Sequence, residues 1–271
     1  MFTSLASFGE MAPFLFVNMN PCRCGMFSIF NYVAGALYEY DNHPAAGIEV
    51  NFEDLGLYYE EQYGPNWWNY YCDPIRLGSK ENAEIQRFNR DDQVTKTLFT
   101  EHELSRSQVF HLIDKYIRVK EEIQKKVDDF YHTFFHGTYV ISVHYRGTDK
   151  IHEAHNISHE KVIDFIRCFI EESALQEYRI FIASDEEAFV NQMQSAFPGV
   201  CLFTNSQRSR NGKPIHFRSS NNRELGEEAL IDCLLLSRGN VLIRTSSNLS
   251  LWSTYFNPSL PVIELSFRYG S

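Results

Sequence analysis

The chain has 271 residues, 44% of them hydrophobic, enough to bury one large core or two modest ones, and two lobes are expected. A formal net charge of −10 argues against nucleic acid or an anionic membrane surface as partner, because both reward a basic face that releases counterions. No stretch approaches the roughly 20 apolar residues of a membrane span, and residues 1–20 lack the basic start and cleavage pattern of a signal peptide, so a cytoplasmic location is expected.

Along the chain, an apolar run at 14–17 is followed by a turn at 21–25 and by helical spacing over 26–40. Residues 58–74 are dense in aromatic and turn residues, among them Trp67, Trp68, Tyr70 and Tyr71. Such a cluster is more often core than a stacking surface for a sugar, and both readings stay open. Of the six cysteines, Cys168 and Cys233 fall in apolar helical runs and read as small core residues, while Cys22 and Cys24 are at most a redox or metal half-site. Between 105 and 135, the residues Val109, Leu112, Ile113, Tyr116, Ile123, Val127, Phe130 and Phe134 keep near 3.6-residue spacing. This predicts one long helix, started by a Ser105/Gln108 capping box, that carries the chain from one lobe to the next.

From residue 138 the pattern changes to short apolar strands at 139–143, 179–183, 200–203, 241–244 and 262–265. Amphipathic helices are predicted between them at about 158–172, 186–197 and 224–237, the signature of βαβ units and a parallel sheet.

Ligands of open parallel sheets gather beyond the carboxyl ends of the strands, where loops converge and helix amino termini present free N–H groups. That rule selects His144 to Lys150, Ser184 with Asp185, Thr204 with Asn205, and Thr245 to Asn248. In the first segment His144, Arg146, Thr148, Asp149 and Lys150 crowd together. An arginine fork fits two phosphate oxygens and Gly147 allows close backbone approach, so a diphosphate is the natural guest. A solvated loop with an internal Arg146/Asp149 pair is the alternative. Thr245, Ser246 and Ser247 would add phosphate contacts or serve as an ordinary helix cap. Asp232 stands in an apolar helical run and needs a partner, either a guanine base with paired N–H donors or a group of the protein. No G-x-G-x-x-G, P-loop, H-E-x-x-H or D-x-D pattern is present, so no metal and no cofactor are expected and the phosphate charge falls to arginine and helix ends.

The segment His144-Tyr145-Arg146-Gly147-Thr148-Asp149-Lys150 resembles the His-x-Arg-x-Thr-Asp-Lys motif of the α1,6-fucosyltransferases, including the rhizobial nodulation enzymes, and more distantly the protein O-fucosyltransferases. Ile182 to Glu186, Gly226 to Ser237 and Arg244 to Asn248 resemble further blocks of those enzymes, in the same order. The resemblance implies an α/β, GT-B-like fold of two Rossmann-like lobes with a parallel sheet in the carboxy-terminal lobe. Residues 1–135 would form the acceptor lobe with the connecting helix at about 105–135, and residues 136–271 the donor lobe. It implies an inverting, metal-independent transfer of fucose from GDP-fucose to a glycan or protein hydroxyl. Arg146 would hold the β-phosphate, with His144, Lys150 and Asp185 beside the donor. Asp232 would read guanine, and Thr245, Ser246 and Ser247 would bind phosphate oxygens. The general base would be Glu153 or Asp149. Many α1,6 enzymes carry two adjacent arginines in the motif, and here the second is Gly147. A nucleotide-binding protein of the same fold without transfer activity, and a transferase for another nucleotide sugar, are the alternative readings.

Overall fold

The computed structural model describes residues 12–18, 24–53, 56–88, 104–147, 157–210 and 221–265. The chain divides into two compact units, residues 1–118 and 119–271.

In the first unit, strands β1 (Phe14–Val17), β2 (Gly47–Val50), β3 (Arg76–Gly78) and β4 (Ile85–Phe88) form one sheet in the order β3-β2-β1-β4. β1 pairs in parallel with β2 and β4, and only the edge strand β3 runs antiparallel. Helix α1 (Met26–Asn42) supplies an apolar face through Phe27, Phe30, Val33 and Leu37. The short helix α2 (Trp68–Tyr71) lies within the aromatic stretch, and here the structure decides between the two readings: Trp67 and Trp68 are 1% and 0% exposed, and Tyr70 and Tyr71 are buried with them. Phe52 stacks on Trp67 at 4.9 Å and Phe30 lies 4.8 Å from Trp68, so the cluster is core and offers no stacking surface. The Tyr58 hydroxyl accepts the first N–H of α1, from Met26, at 2.8 Å, satisfying a donor that the helix itself leaves unpaired.

The single helix predicted over 105–135 is two helices, α3 (Arg106–Tyr116) and α4 (Glu121–Phe134). Ser105 and Gln108 do form the capping box. The chain leaves the helical path at Ile117, whose φ of −103° and ψ of 104° are extended, and the Arg118 carbonyl accepts from Asp73 N–H at 2.7 Å. The hydrophobic spacing runs on across the break because both helices need an apolar stripe, each for its own core. α3 is tied to α1 by Lys115 and the Tyr116 hydroxyl, each 2.5 Å from Asp41. α4 packs instead on the second unit, where Phe130 meets Phe181 edge-on at 5.6 Å and Lys126 pairs with Glu227. The units therefore part at 118/119 rather than at 135/136.

The second unit holds β5 (Tyr139–Tyr145), β6 (Tyr178–Ser184), β7 (Cys201–Leu202), β8 (Val241–Arg244) and β9 (Val262–Glu264), all parallel, in the order β7-β6-β5-β8-β9. Helices α5 (His159–Glu172), α6 (Glu187–Ala196), α7 (Asn222–Leu236) and α8 (Asn248–Phe256) form the crossovers. Strands buried on both faces read as apolar runs, and Ile141, Val143, Ile180, Ile182 and Ile243 are buried with Val162, Ile166 and Phe189 of α5 and α6. Cys233 is buried, but Cys168 is exposed, because it lies off the stripe of α5 formed by Val162, Ile163 and Ile166. Cys22 lies outside the described residues. No described helix is long and apolar enough to cross a membrane.

Candidate active site

The strand order of the second unit sets the place of the site. From β5 the chain adds β6 and β7 on one side, then returns to place β8 against the other side of β5. The strand order therefore reverses between β5 and β8, and in open parallel sheets ligands bind beyond the carboxyl ends of the strands at such a switch point.

The residues on the two sides of this switch point are those that the strand-end rule selected. Arg146, half-buried, follows β5, and its N–H donates to Thr245 Oγ1 at 3.0 Å. Thr245 N–H in turn donates to the His144 carbonyl at 3.0 Å, so the motif segment and the Ser/Thr loop are pinned together. His144 is 5% exposed, near the carboxyl end of β5. Gly147 N–H donates to Asp185 Oδ1 at 3.2 Å, which brings the β6 loop to the same edge. Glu186 lies over Gly147: a Cβ at position 147 would come within 2.2 Å of Glu186 Oε1, so a larger residue there would have to displace that carboxylate. Burial, followed by the charges of Glu186 and Asp185, pushes the Tyr145 hydroxyl up to about 12.

On the β8 side, Arg244 braces the loop by donating to the Ser247 carbonyl at 3.3 Å and to Glu264 at 2.5 Å. Ser247 is the residue before α8, yet its side chain makes no capping bond; its hydroxyl is buried and has no hydrogen-bond partner among the described residues. Ser246 is exposed beside it. A serine at this position usually caps the first-turn N–H groups, so its hydroxyl is left for something else. Thr148, Asp149, Lys150 and Glu153 lie outside the described residues.

Asp232 projects from α7 and is buried, 6% exposed. The partner it requires is on the protein: Thr204 Oγ1 donates to one carboxylate oxygen at 2.7 Å and Ser206 Oγ to the other at 3.2 Å. Burial raises its pKa to about 6 against the pull of those hydroxyls and of Arg208. Arg208 is the cation that sequence reasoning missed. Its guanidinium donates to the carbonyls of Thr204 at 2.9 Å and Ser206 at 3.0 Å and lies 5.2 Å from the Phe203 ring centre. Burial lowers its pKa, while Asp232, Glu228 and Glu187 oppose the change. Its Nε and the Ser209 hydroxyl are buried without partners among the described residues. Buried polar groups in folded proteins are nearly always satisfied, so the idle groups in the loops after β7 and β8 leave this edge of the sheet with polar atoms available to a ligand. Thr204 was selected as a strand-end residue; Arg208 lies four residues further along the same loop, beyond the positions that the strand-end rule takes.

Among known proteins, a family described as Nodulation protein Z (NodZ) matches residues 101–268. No curated protein matches the sequence. Among solved structures, NodZ alpha-1,6-fucosyltransferase soaked with GDP-fucose shares 18% identity and a TM-score of 0.61, over 94% of this chain and 95% of that one. An Arabidopsis thaliana FUT1 mutant in complex with GDP shares 11% identity and a TM-score of 0.59, over 94% of this chain and 71% of that one. POFUT1 in complex with GDP-fucose shares 8% identity and a TM-score of 0.55, over 97% of this chain and 100% of that one. At these identities the likeness is one of fold, and it extends the GT-B-like resemblance carried by the motif to nearly the whole chain. With more than half of its residues matched, including every described strand-end segment of the second unit, the chain belongs to the NodZ family.

Proposed function

We propose that this fucosyltransferase moves fucose from GDP-fucose to a glycan or protein hydroxyl by a single inverting displacement that needs no metal. The acceptor oxygen attacks the anomeric carbon, the bond from that carbon to the β-phosphate oxygen breaks, and the electron pair leaves with GDP. The proton of the acceptor hydroxyl passes to Glu153 or Asp149 as general base. Charge on the departing diphosphate is met by the Arg146 side chain, by the hydroxyls of Thr245, Ser246 and Ser247, and by the N–H groups of the first turn of α8. His144, Lys150 and Asp185 are assigned to donor binding with them. Asp232 is assigned to the N–H donors of guanine, since an ionised carboxylate has lone pairs beyond those taken by Thr204 and Ser206.

The observation that carries this reading is the hydrogen bond between Arg146 N–H and Thr245 Oγ1 across the switch point of the sheet, 3.0 Å long. It joins the two segments a diphosphate would need, at the place where open α/β sheets receive nucleotides.

Calorimetry with GDP and a product assay with GDP-fucose over a panel of glycan and peptide acceptors test it. Arg146→Ala is expected to weaken GDP binding at least about tenfold and to slow transfer by about 10² to 10³. Wild-type GDP affinity in Arg146→Ala overturns the assignment of the donor site. Turnover should survive a chelator, and the product should show the anomeric configuration opposite to the donor's by NMR. Loss of activity on chelation removes the metal-free mechanism, and retention of configuration removes the single displacement.

A further inference from the structure

Gly147 and Glu186 come from different loops, yet they share one space. The carboxyl of Glu186 occupies the space that a side chain at 147 would need, with Oε1 2.2 Å from an ideal Cβ and Oε2 2.7 Å from it. Glu186 is itself held from three directions. Its N–H donates to Ser184 Oγ at 3.1 Å, its backbone bridges to Ser209, and its Oε2 lies 2.8 Å from His159 Nε2. His159 is the first residue of α5, and its ring stands edge-on to Tyr145 at 4.8 Å and inclined to Phe189 at 5.2 Å. Tyr145 stacks on Phe189 at 4.4 Å and donates its hydroxyl to the Ile157 carbonyl at 3.0 Å. Both side chains of the His159–Glu186 pair are less than one-fifth exposed. A rigid aromatic socket thus orients a histidine, the histidine orients a carboxylate, and the carboxylate lies on the backbone directly after the donor-site arginine.

We propose that Glu186, held by His159, is a positioning residue for the donor site. Its carboxylate takes the place of a side chain at 147 and fixes the Arg146–Gly147 peptide, keeping Gly147 N–H on Asp185 and Arg146 N–H on Thr245. Arg146 then leaves the strand end in one direction only, and the diphosphate meets an arginine whose orientation needs no further ordering. This inference rests on the donor-site reading given above and deepens it: a residue that makes no contact of its own with the nucleotide sets the affinity for GDP.

The test is a double-mutant cycle in the full chain, read by GDP calorimetry, by KM and kcat for GDP-fucose, and by thermal unfolding. Gly147→Ala should weaken GDP binding by about tenfold, because its methyl group displaces Glu186, and Glu186→Ala should raise KM by about fivefold with kcat less affected. Glu186→Gln keeps the shape and the oxygen facing His159 and should stay within about threefold of wild type. The pair Gly147→Ala with Glu186→Ala should bind GDP better than Gly147→Ala alone, since the new methyl group enters vacated space; that non-additivity is what a positional coupling requires. Wild-type KM and GDP affinity in Glu186→Ala, or a double variant that shows only the sum of the two losses, overturns the proposal. Should those variants bind GDP normally while Arg146→Ala does not, the donor site stands and the positioning role falls. If Arg146→Ala also binds GDP normally, the donor reading itself has failed, and any coupling seen only in thermal unfolding is structural.

Discussion

A carboxylate buried as deeply as Asp232 makes folding stability depend on pH in a direction opposite to that of most acidic residues. Its pKa in the folded protein is raised from 3.8 to about 6, with burial as the largest cause. A raised carboxylate pKa means that the folded state holds the proton more tightly than the unfolded state. The contribution is therefore most favourable below pH 3.8, is lost as pH rises towards 6, and stays lost above it. Each tenfold difference in proton affinity between the two states is worth about 1.4 kcal/mol, so the swing is on the order of 3 kcal/mol. Asp232→Asn removes the titration and leaves Thr204 a carbonyl-type acceptor. The expected outcome in urea unfolding is that wild type loses stability relative to Asp232→Asn between pH 4 and pH 7, with the gap closing on acidification. Parallel stability curves for the two proteins would show that the site is wetter than its 6% exposure implies. Sequence alone exposed the problem of a bare acid among Leu230, Ile231, Leu234 and Leu235, but not its solution. Thr204 and Ser206 lie 28 and 26 residues away, and no spacing rule connects a loop to a helix at that range.

Two serines that precede helices make a matched pair of tests. Ser105 accepts the Gln108 N–H at 3.3 Å and Gln108 returns the bond to the Ser105 N–H at 2.9 Å, so Ser105→Ala should cost about 1 kcal/mol of stability and nothing in nucleotide affinity. Ser247 stands in the same position before α8 without a capping bond. Ser247→Ala should leave unfolding by urea within about 0.5 kcal/mol of wild type while weakening GDP binding by about five- to tenfold. The reverse pattern, lower stability with unchanged binding, would make Ser247 an ordinary cap and take the start of α8 out of the phosphate site. At this scale the second unit was legible and the first in part: the apolar run at 14–17 and the helical spacing over 26–40 match β1 and α1. The apolar runs predicted at 139–143 and 241–244 match β5 and β8 closely, because parallel strands buried on both faces must be apolar throughout. β3 and β4 gave no such run, since every residue of β3 is exposed and β4 buries only Phe88. The break between α3 and α4 was invisible for a different reason. Periodicity records which face is apolar, while the break depends on the Arg118 carbonyl serving Asp73 in another loop.

For the whole molecule, every described residue assigned to the donor lies between 144 and 247, inside the unit that spans 119–271. That unit has a complete parallel sheet and its own buried cluster of Ile141, Val143, Ile180, Ile182, Phe189 and Ile243, which is what independent folding requires. The strand-end rule found Arg146 and Thr245 from sequence because each follows its strand directly; it passed over Glu186 and His159 as a pair, because their contact joins a loop to a helix start and exists only once both have folded. If the division of labour is real, a fragment of residues 119–271 should unfold cooperatively, bind GDP within about tenfold of the full chain, and transfer no fucose, since inter-domain contacts are generally modest beside a domain's own core. Urea unfolding, GDP calorimetry and the product assay on one preparation decide it. A folded fragment that does not bind GDP would place indispensable donor contacts in residues 1–118, and the smaller unit would then belong to nucleotide recognition as much as to the acceptor.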